Sequence, residues 1–556
     1  MSLSSRTRSW PYPAALLVLC AALFFWRLGV TPLDDFDEAY YAEGAREMLD
    51  RGDFGTPYYN GQPFLLKPVL IFWLIAAAFR LFGITEFAAR SVSAFFATTI
   101  VVLTYWFTAR TLGRRAGLLA GLALALCYLW IDIGREAMID MPLTAALAAA
   151  VFLFHLAGKA PARRKRWLYL AFYPLIGIAL LAKGPAATGI VLAGLLAYLL
   201  AARRLRETLR EAHVLPGFVL LLAVAAPWYV YESLRQPAFV ATFLIREHFG
   251  HLQGELAREE PWYGHLKNLA IGFYPWALLL PAAAAHAFRQ DREHVLRLAA
   301  WWAGAVIFGF SLGGAKLPHY LVPAFPPMAI LVAAWFDAWL GEFVGQELRL
   351  LPRDRPALVG LLALSAAGLA LGAAFAVAII MPPALKSRLA QQFGSWTPGP
   401  APTFMLGALA AGSVGAAVAA FARRRRAVFP LLAGAMLVAG FAHVGWFKPR
   451  LAQIQAQPRK ELAAFASRAV PPSEPLGVFY AKRNATIFYA RRPIVDLGEW
   501  EQQKLVAFLA SPTPATALTH SRLVPDLEAA LPRFYLWTQR GDFVLVSNHP
   551  LDLYFR

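Results

Sequence analysis

A chain of 556 residues that is 58% hydrophobic and only 16% charged carries more apolar side chain than a soluble core can hide, so a water-soluble globular fold is excluded. A formal charge of +19 would suit nucleic acid, but the arginines collect in short stretches between apolar runs, the distribution that membrane topology imposes. Cys20 and Cys127, the two cysteines, both sit inside apolar stretches, which leaves neither a disulfide framework nor a thiolate metal site.

Apolar runs long enough to span a bilayer lie at 13–29, 88–109, 116–131, 141–158, 167–182, 185–202, 214–231, 268–288, 298–312, 320–340, 356–381, 403–421 and 427–447, thirteen candidate helices. The fold class expected is therefore an all-α polytopic membrane protein, with a transmembrane domain over 1–447 and a small soluble α/β domain over 448–556. Arg6 and Arg8 precede the first run and no small-residue cleavage site follows before Trp26-Arg27, so this run reads as a retained anchor.

The loop after it, 31–87, opens with Asp34, Asp35, Asp37 and Glu38 and continues as AYYAEGAREMLDRG. Helical spacing puts Tyr41, Ala45, Met48 and Leu49 on one face and Glu43, Arg46, Glu47 and Asp50 on the other, predicting an interfacial amphipathic helix stopped by Gly52. The plain role for Asp34 and Asp35 is capping, with Asp35 and Glu38 spaced as a capping box. Asp37 is placed for acid–base or orienting work at the mouth of a lipid-lined cavity. Lys67 stands directly before Pro68, where a helix N-terminus already attracts anions; it reads either as a phosphate ligand or as a snorkelling lysine. The piece Pro68 to Phe82 is too short to cross and is read as interfacial or re-entrant.

With the N-terminus cytoplasmic, the cytoplasmic loops hold Arg110, Arg114 and Arg115; Lys159 with Arg163, Arg164, Lys165 and Arg166; Arg203, Arg204, Arg206 and Arg210; Arg289, Arg292 and Arg297; Arg349, Arg353 and Arg355; and Arg423 to Arg426. Few cations fall on the outer side: Arg135, Lys183, Arg246, Lys267 and Lys316. Lys183 in AKGPA and Lys316 in GGAKLPHY stand where glycine or proline breaks an apolar run, and such breaks line cavities. Asp132 and Glu136 flank Arg135, and Asp140 precedes a helix that it could simply cap. In the 232–267 loop, Glu247, His248, His251, Glu255 and His265 leave a divalent metal open, without the His-x-x-x-His spacing that would argue for one. After Lys448 strand-like pieces alternate with helical ones and end in a hairpin turning at Arg540-Gly541-Asp542. No internal repeat is visible, which disfavours a transporter built from related halves.

Taken in order, DEAYYAEGAREMLDRGDF, LLKPVLIFWL, GITEFAARSVSAF, AKGPA, the EHF loop and KLPHYLVPAFPP resemble the GT-C membrane glycosyltransferases that use polyisoprenyl-phosphate sugars. Within that class the chain is similar to bacterial lipid A aminoarabinose transferases and, more distantly, to protein O-mannosyltransferases. The resemblance implies thirteen spans, an acidic first periplasmic loop and a periplasmic α/β domain in the bacterial inner membrane. It also implies a sugar donor on undecaprenyl phosphate, with lipid A or a related glycolipid as acceptor. The catalytic aspartates it implies are Asp37 and Asp140; lipid phosphate and sugar would meet Lys67, Tyr41, Lys183, Arg246, Lys316 and His319. One departure stands out: aminoarabinose transferases usually place a glutamate before the lysine, where this chain has Leu66. A polysaccharide ligase or polymerase of the same fold, and an anionic-lipid carrier or flippase, are the competing functions.

Overall fold

The structure is a computed structural model that describes residues 11–34, 37–247, 261, 263–290, 294–341, 355–380, 400–422, 424–481 and 483–551. Asp35, His248, His251, Glu255, Arg292, Arg349, Arg353 and Arg423, together with Arg6 and Arg8, lie outside these residues.

Among the described residues, seven helices are long and apolar enough to cross a bilayer: Glu86–Thr111, Asp140–Gly158, Ala162–Lys183, Val214–Arg235, Pro318–Leu340, Pro402–Phe421 and Arg425–Gln455. Two bent pairs raise the number to nine, Pro185–Ala201 with Leu205–Glu211 at 117° and Gly264–Gly272 with Trp276–Arg289 at 111°. Shorter apolar helices cover Pro11–Phe25, Leu70–Phe82, Val295–Ser311 and Leu362–Val377. The run expected at 116–131 is interrupted: Arg114–Ala125 stops at Leu126 and Cys127 before Tyr128–Ile133 resumes. Small residues set how closely these rods approach. A Cβ on Gly194 would stand 2.7 Å from Ala305 Cβ, so the Pro185–Ala201 and Val295–Ser311 helices touch through that glycine.

Seven strands occur among the described residues, two in the first loop and five near the C-terminus. The first two, β1 (Tyr58–Tyr59) and β2 (Gln62–Pro63), form a hairpin in the first loop, closed by Asn60 and Gly61 at φ +53° and +78°, the backbone that an Asn-Gly turn supplies. The other five, β3 (Leu476–Phe479), β4 (Val495–Gly498), β5 (Thr516–His520), β6 (Tyr535–Arg540) and β7 (Phe543–Ser547), build a mixed sheet in the order β4-β3-β5-β7-β6. Here β3 runs parallel to β4 and β5, and β7 antiparallel to β5 and β6. Alternation sends Val478, Leu518 and Leu545 to one face, packed on Leu462 and Ile487, and Phe479, Ala517, Val544 and Val546 to the other, packed on Leu505 and Leu527.

The first loop lies between these two bodies. Its helix, Asp37–Arg51, corrects the sequence reading: both faces are covered, with Glu43 fully buried and Arg46 8% exposed. Burial of the polar face is tolerable because Arg46 bridges Glu43 and Asp50 one turn either side, and Glu47 accepts from the Gly61 backbone N–H at 3.0 Å.

Candidate active site

The loop helix delivers Asp37 and Tyr41 to its inner face. Tyr41 is 1% exposed and meets Phe72 of the Leu70–Phe82 helix edge-on at 5.8 Å. Burial, reinforced by the charges of Asp37, Asp140, Tyr320 and Glu247, pushes its phenol well above the usual tyrosine range, so it stays protonated. Its hydroxyl makes no hydrogen bond among the described residues, a buried donor available to a ligand.

Asp140 does not cap its helix by its side chain. It occupies the first turn of Asp140–Gly158, 1% exposed, and its Oδ1 accepts from Lys183 Nζ at 2.6 Å. Lys183 closes the Ala162–Lys183 helix at the break where Gly184 turns the chain with φ +92°, and its ammonium lies 4.7 Å from the centre of the Tyr320 ring. Asp140 Oδ2 has no partner among the described residues. Lys67 is joined at 2.7 Å to Glu247, the last residue of the segment Val240–Glu247, which is seated by the parallel rings of Phe239 and Phe243 at 5.4 Å. The His319 ring meets Tyr320 edge-on at 4.9 Å, which joins it through that ring to Lys183, and Asp140, Asp37 and Lys67 stand within its electrostatic reach.

Asp37, Tyr41, Lys67, Asp140, Lys183 and His319 therefore form one cluster drawn from five separate stretches of chain. Tyr320 and Glu247 complete it. Tyr320 was not singled out in the sequence, although it follows His319 directly in KLPHY; Glu247 was seen only as a metal candidate. The remaining expected residues are placed apart or differently engaged. Arg246 is exposed beside Glu247. Lys316 is 5% exposed, its ammonium donates to the Gly313 carbonyl, and its own carbonyl accepts from Asn268. Arg135 donates to the carbonyls of Leu23, Phe24 and Trp26, so it fastens the end of the first helix. Glu38, read as the second half of a capping box, accepts from the Asp34 N–H ahead of its helix at 2.7 Å and also grips Arg90 at 2.7 Å, a partner the sequence did not show. No group of three or more His, Cys, Asp or Glu that could hold a metal ion occurs among the described residues, and His265 is fully buried in Gly264–Gly272.

Comparison with known proteins places the chain among relatives of the same fold. Residues 66–231 match the family described as dolichyl-phosphate-mannose-protein mannosyltransferase. The undecaprenyl phosphate-alpha-4-amino-4-deoxy-L-arabinose arabinosyl transferase of Aeromonas salmonicida is 33% identical over 56% of this chain and 58% of that protein. Its counterpart in Pectobacterium carotovorum is 30% identical over 66% of this chain and 65% of that protein. The chain thus matches less than two thirds of the length of these curated relatives. The crystal structure of apo ArnT from Cupriavidus metallidurans superposes with a TM-score of 0.74 at 25% identity, covering 97% of each chain. The structure of that protein bound to undecaprenyl phosphate gives 0.76 at 23% identity, covering 97% and 98%. Fold and comparisons define a polytopic membrane protein with the GT-C fold. Within that class its likeness is to ArnT from the helical bundle to the C-terminal sheet and, over residues 66–231, to the protein mannosyltransferase family.

Proposed function

We propose that the chain is a membrane glycosyltransferase that moves a sugar of the aminoarabinose kind from undecaprenyl phosphate to lipid A or a related acceptor. It would sit in the bacterial inner membrane with its site toward the periplasm, each of the thirteen apolar runs counting as one span. The boundary between the membrane domain, 1–447, and the outer domain, 448–556, belongs to the same proposal. The observation that carries it is the meeting of two lysines, two aspartates and a histidine under one loop, since an ion carrier would spread its charges along a path.

Transfer breaks the bond between the sugar's anomeric carbon and the phosphate oxygen, and the departing lipid phosphate gains a negative charge. Lys67 and Lys183 are suited to meet that charge, and because it grows along the reaction they favour the transition state over the bound donor. Binding would exchange their present carboxylate partners, Glu247 and Asp140, for phosphate oxygens. Asp140 Oδ2 and the Tyr41 hydroxyl are then left to orient sugar hydroxyls. Asp37 serves as base toward a hydroxyl acceptor, or steadies positive charge on the ring when the acceptor is an already ionised phosphate. An acceptor panel assayed with Asp37→Asn tests this: a hydroxyl acceptor should lose more activity than a phosphate one, and equal losses contradict it. In cells, a pentose- or hexose-sized mass gain on lipid A that depends on the intact gene supports the transferase. Altered long polysaccharide would instead indicate a ligase or polymerase, and unchanged glycolipids a carrier.

A further inference from the structure

Where Tyr40 of the loop helix meets the sheet domain lies a cavity of about 410 Å³ at the carboxyl ends of β3 and β4, within the roughly 300–1,000 Å³ common for small-molecule sites. Crevices at the carboxyl ends of parallel strands are where α/β sheets bind ligands. This one is lined by Tyr480, Arg483, Asp496, Glu499 and Trp500 of the sheet domain and by Tyr40 of the loop helix. Tyr40 adjoins Tyr41, so the same helical turn faces both sites. Trp500 is 87% exposed, an unusual cost for an indole unless a partner covers it. Its neighbours Glu499 and Glu501 make it unsuited to an anionic membrane surface. The polar wall is fixed in advance: Arg483 pairs with Asp496 and donates to the Tyr40 hydroxyl at 3.3 Å, and Asp496 Oδ1 accepts from the Gly498 N–H at 3.1 Å.

From this arrangement we propose that the cavity is a saccharide subsite, holding an unphosphorylated part of the acceptor glycan while the transfer proceeds at the catalytic cluster. A sugar ring has an apolar C–H face that packs on a flat indole and a hydroxyl rim that suits planar carboxylate and guanidinium groups. Among the described lining residues there is one cation, Arg483, against two anions, Asp496 and Glu499, a balance that disfavours phosphate. The assignment to the acceptor rests on the transferase reading; the affinity for saccharide does not.

The test has two arms on the full chain in detergent. In the first, saturation-transfer NMR with a neutral N-acetylglucosamine disaccharide should show contact with the wild type and with Asp37→Asn. Contact should weaken by about tenfold in Trp500→Ala, the loss expected from removing one stacking ring and its buried area. Glucose 1-phosphate should bind less well than the disaccharide. Unchanged contact in Trp500→Ala, or a preference for the phosphorylated sugar, overturns the subsite. In the second arm, Trp500→Ala should raise the KM for a glycan-bearing acceptor and leave the donor KM alone; an unchanged acceptor KM would also overturn it. Because Trp500 is exposed, its unfolding midpoint should match wild type, and Glu499→Gln serves as a second variant with the same expected direction. Absence of transfer by the wild type sinks the transferase reading, while the NMR arm still judges the cavity.

Discussion

On the proposed transferase reading, Lys183 and Asp140 would serve both fold and chemistry. With Asp140 1% exposed, Lys183→Met leaves a carboxylate buried without its cation, which costs stability, and it removes a charge from the leaving phosphate. The two effects separate in a double variant: Asp140→Asn with Lys183→Met should recover most of the thermal stability in detergent, whereas transfer should stay down by about 10²–10³-fold, the effect of losing one transition-state partner. Recovery of activity along with stability would show the pair to be structural only. Glu38 gives the opposite case, a charged residue that only holds the fold. Burial raises its carboxyl, but the Arg90 guanidinium and the N–H groups of Asp34 and Ala137 outweigh this and hold it below the usual range. A depressed acid stabilises the folded state fully above its unfolded pKa and loses that contribution as pH falls through the folded value. The gap in unfolding temperature between wild type and Glu38→Gln should therefore be wide at neutral pH and narrow as pH falls below the ordinary glutamate value of 4.5. A gap that is constant with pH would contradict the assignment. Asp37, Lys67, Asp140 and Lys183 were visible in the sequence because each stands beside a helix end or break, where charge at membrane depth is conspicuous. The partnership of Glu38 was not visible, since Arg90 is one cation inside an apolar run, 52 residues away.

At the scale of elements, hydropathy pointed to a largely helical membrane body because bilayer thickness imposes a length on apolar runs, but among the described residues only seven helices, or nine with the bent pairs, reach that length. The breaks at 202–204 and 273–275 coincide with Arg203-Arg204 and with Pro275, whereas hydropathy did not show the break at Leu126-Cys127, which falls inside an apolar run with no proline or glycine to mark it. Nor could amphipathic spacing show that the loop helix would be covered on both faces, since intrahelical ion pairs make its polar side compatible with burial. The fit of that helix on its neighbour hangs on Gly44. A Cβ there would stand 2.5 Å from Cε1 of Phe72, a ring that is itself fully buried and has nowhere to swing. Gly44→Ala should thus force the helices apart at a cost of about 1–3 kcal/mol, moving Asp37 and Tyr41 away from Lys67. Kinetically this predicts a fall in kcat larger than any change in donor KM, because a displacement of about 1 Å spoils alignment more than it spoils binding. Wild-type turnover in a folded Gly44→Ala protein would mean that the spacing of these two helices does not govern the site.

For the whole molecule, the sheet domain acts as a brace on the loop that carries half of the cluster. Asn60, at the tip of the β1–β2 turn, exchanges two hydrogen bonds with the Ile494 backbone, at 2.7 and 3.0 Å. The Tyr489 hydroxyl bridges the two ends of the loop, accepting from Leu33 N–H at 2.8 Å and donating to Glu86 at 2.9 Å, and Tyr59 donates to Asn484 at 2.6 Å. These bonds join residues more than 400 positions apart, which is why composition and periodicity gave the two bodies but not their docking. Each is worth about 1 kcal/mol, so Tyr489→Phe with Asn60→Ala should leave both bodies folded while loosening their grip on the loop. Hydrogen exchange should then rise in residues 31–66 and stay unchanged in β3, β5 and β7, and kcat should fall with the loosening although no group of the cluster has been touched. If the loop keeps its protection, the brace is redundant. If it loses protection while kcat holds, Asp37 and Lys67 find their places without help from the sheet domain, which would then have to be explained by the glycan it binds.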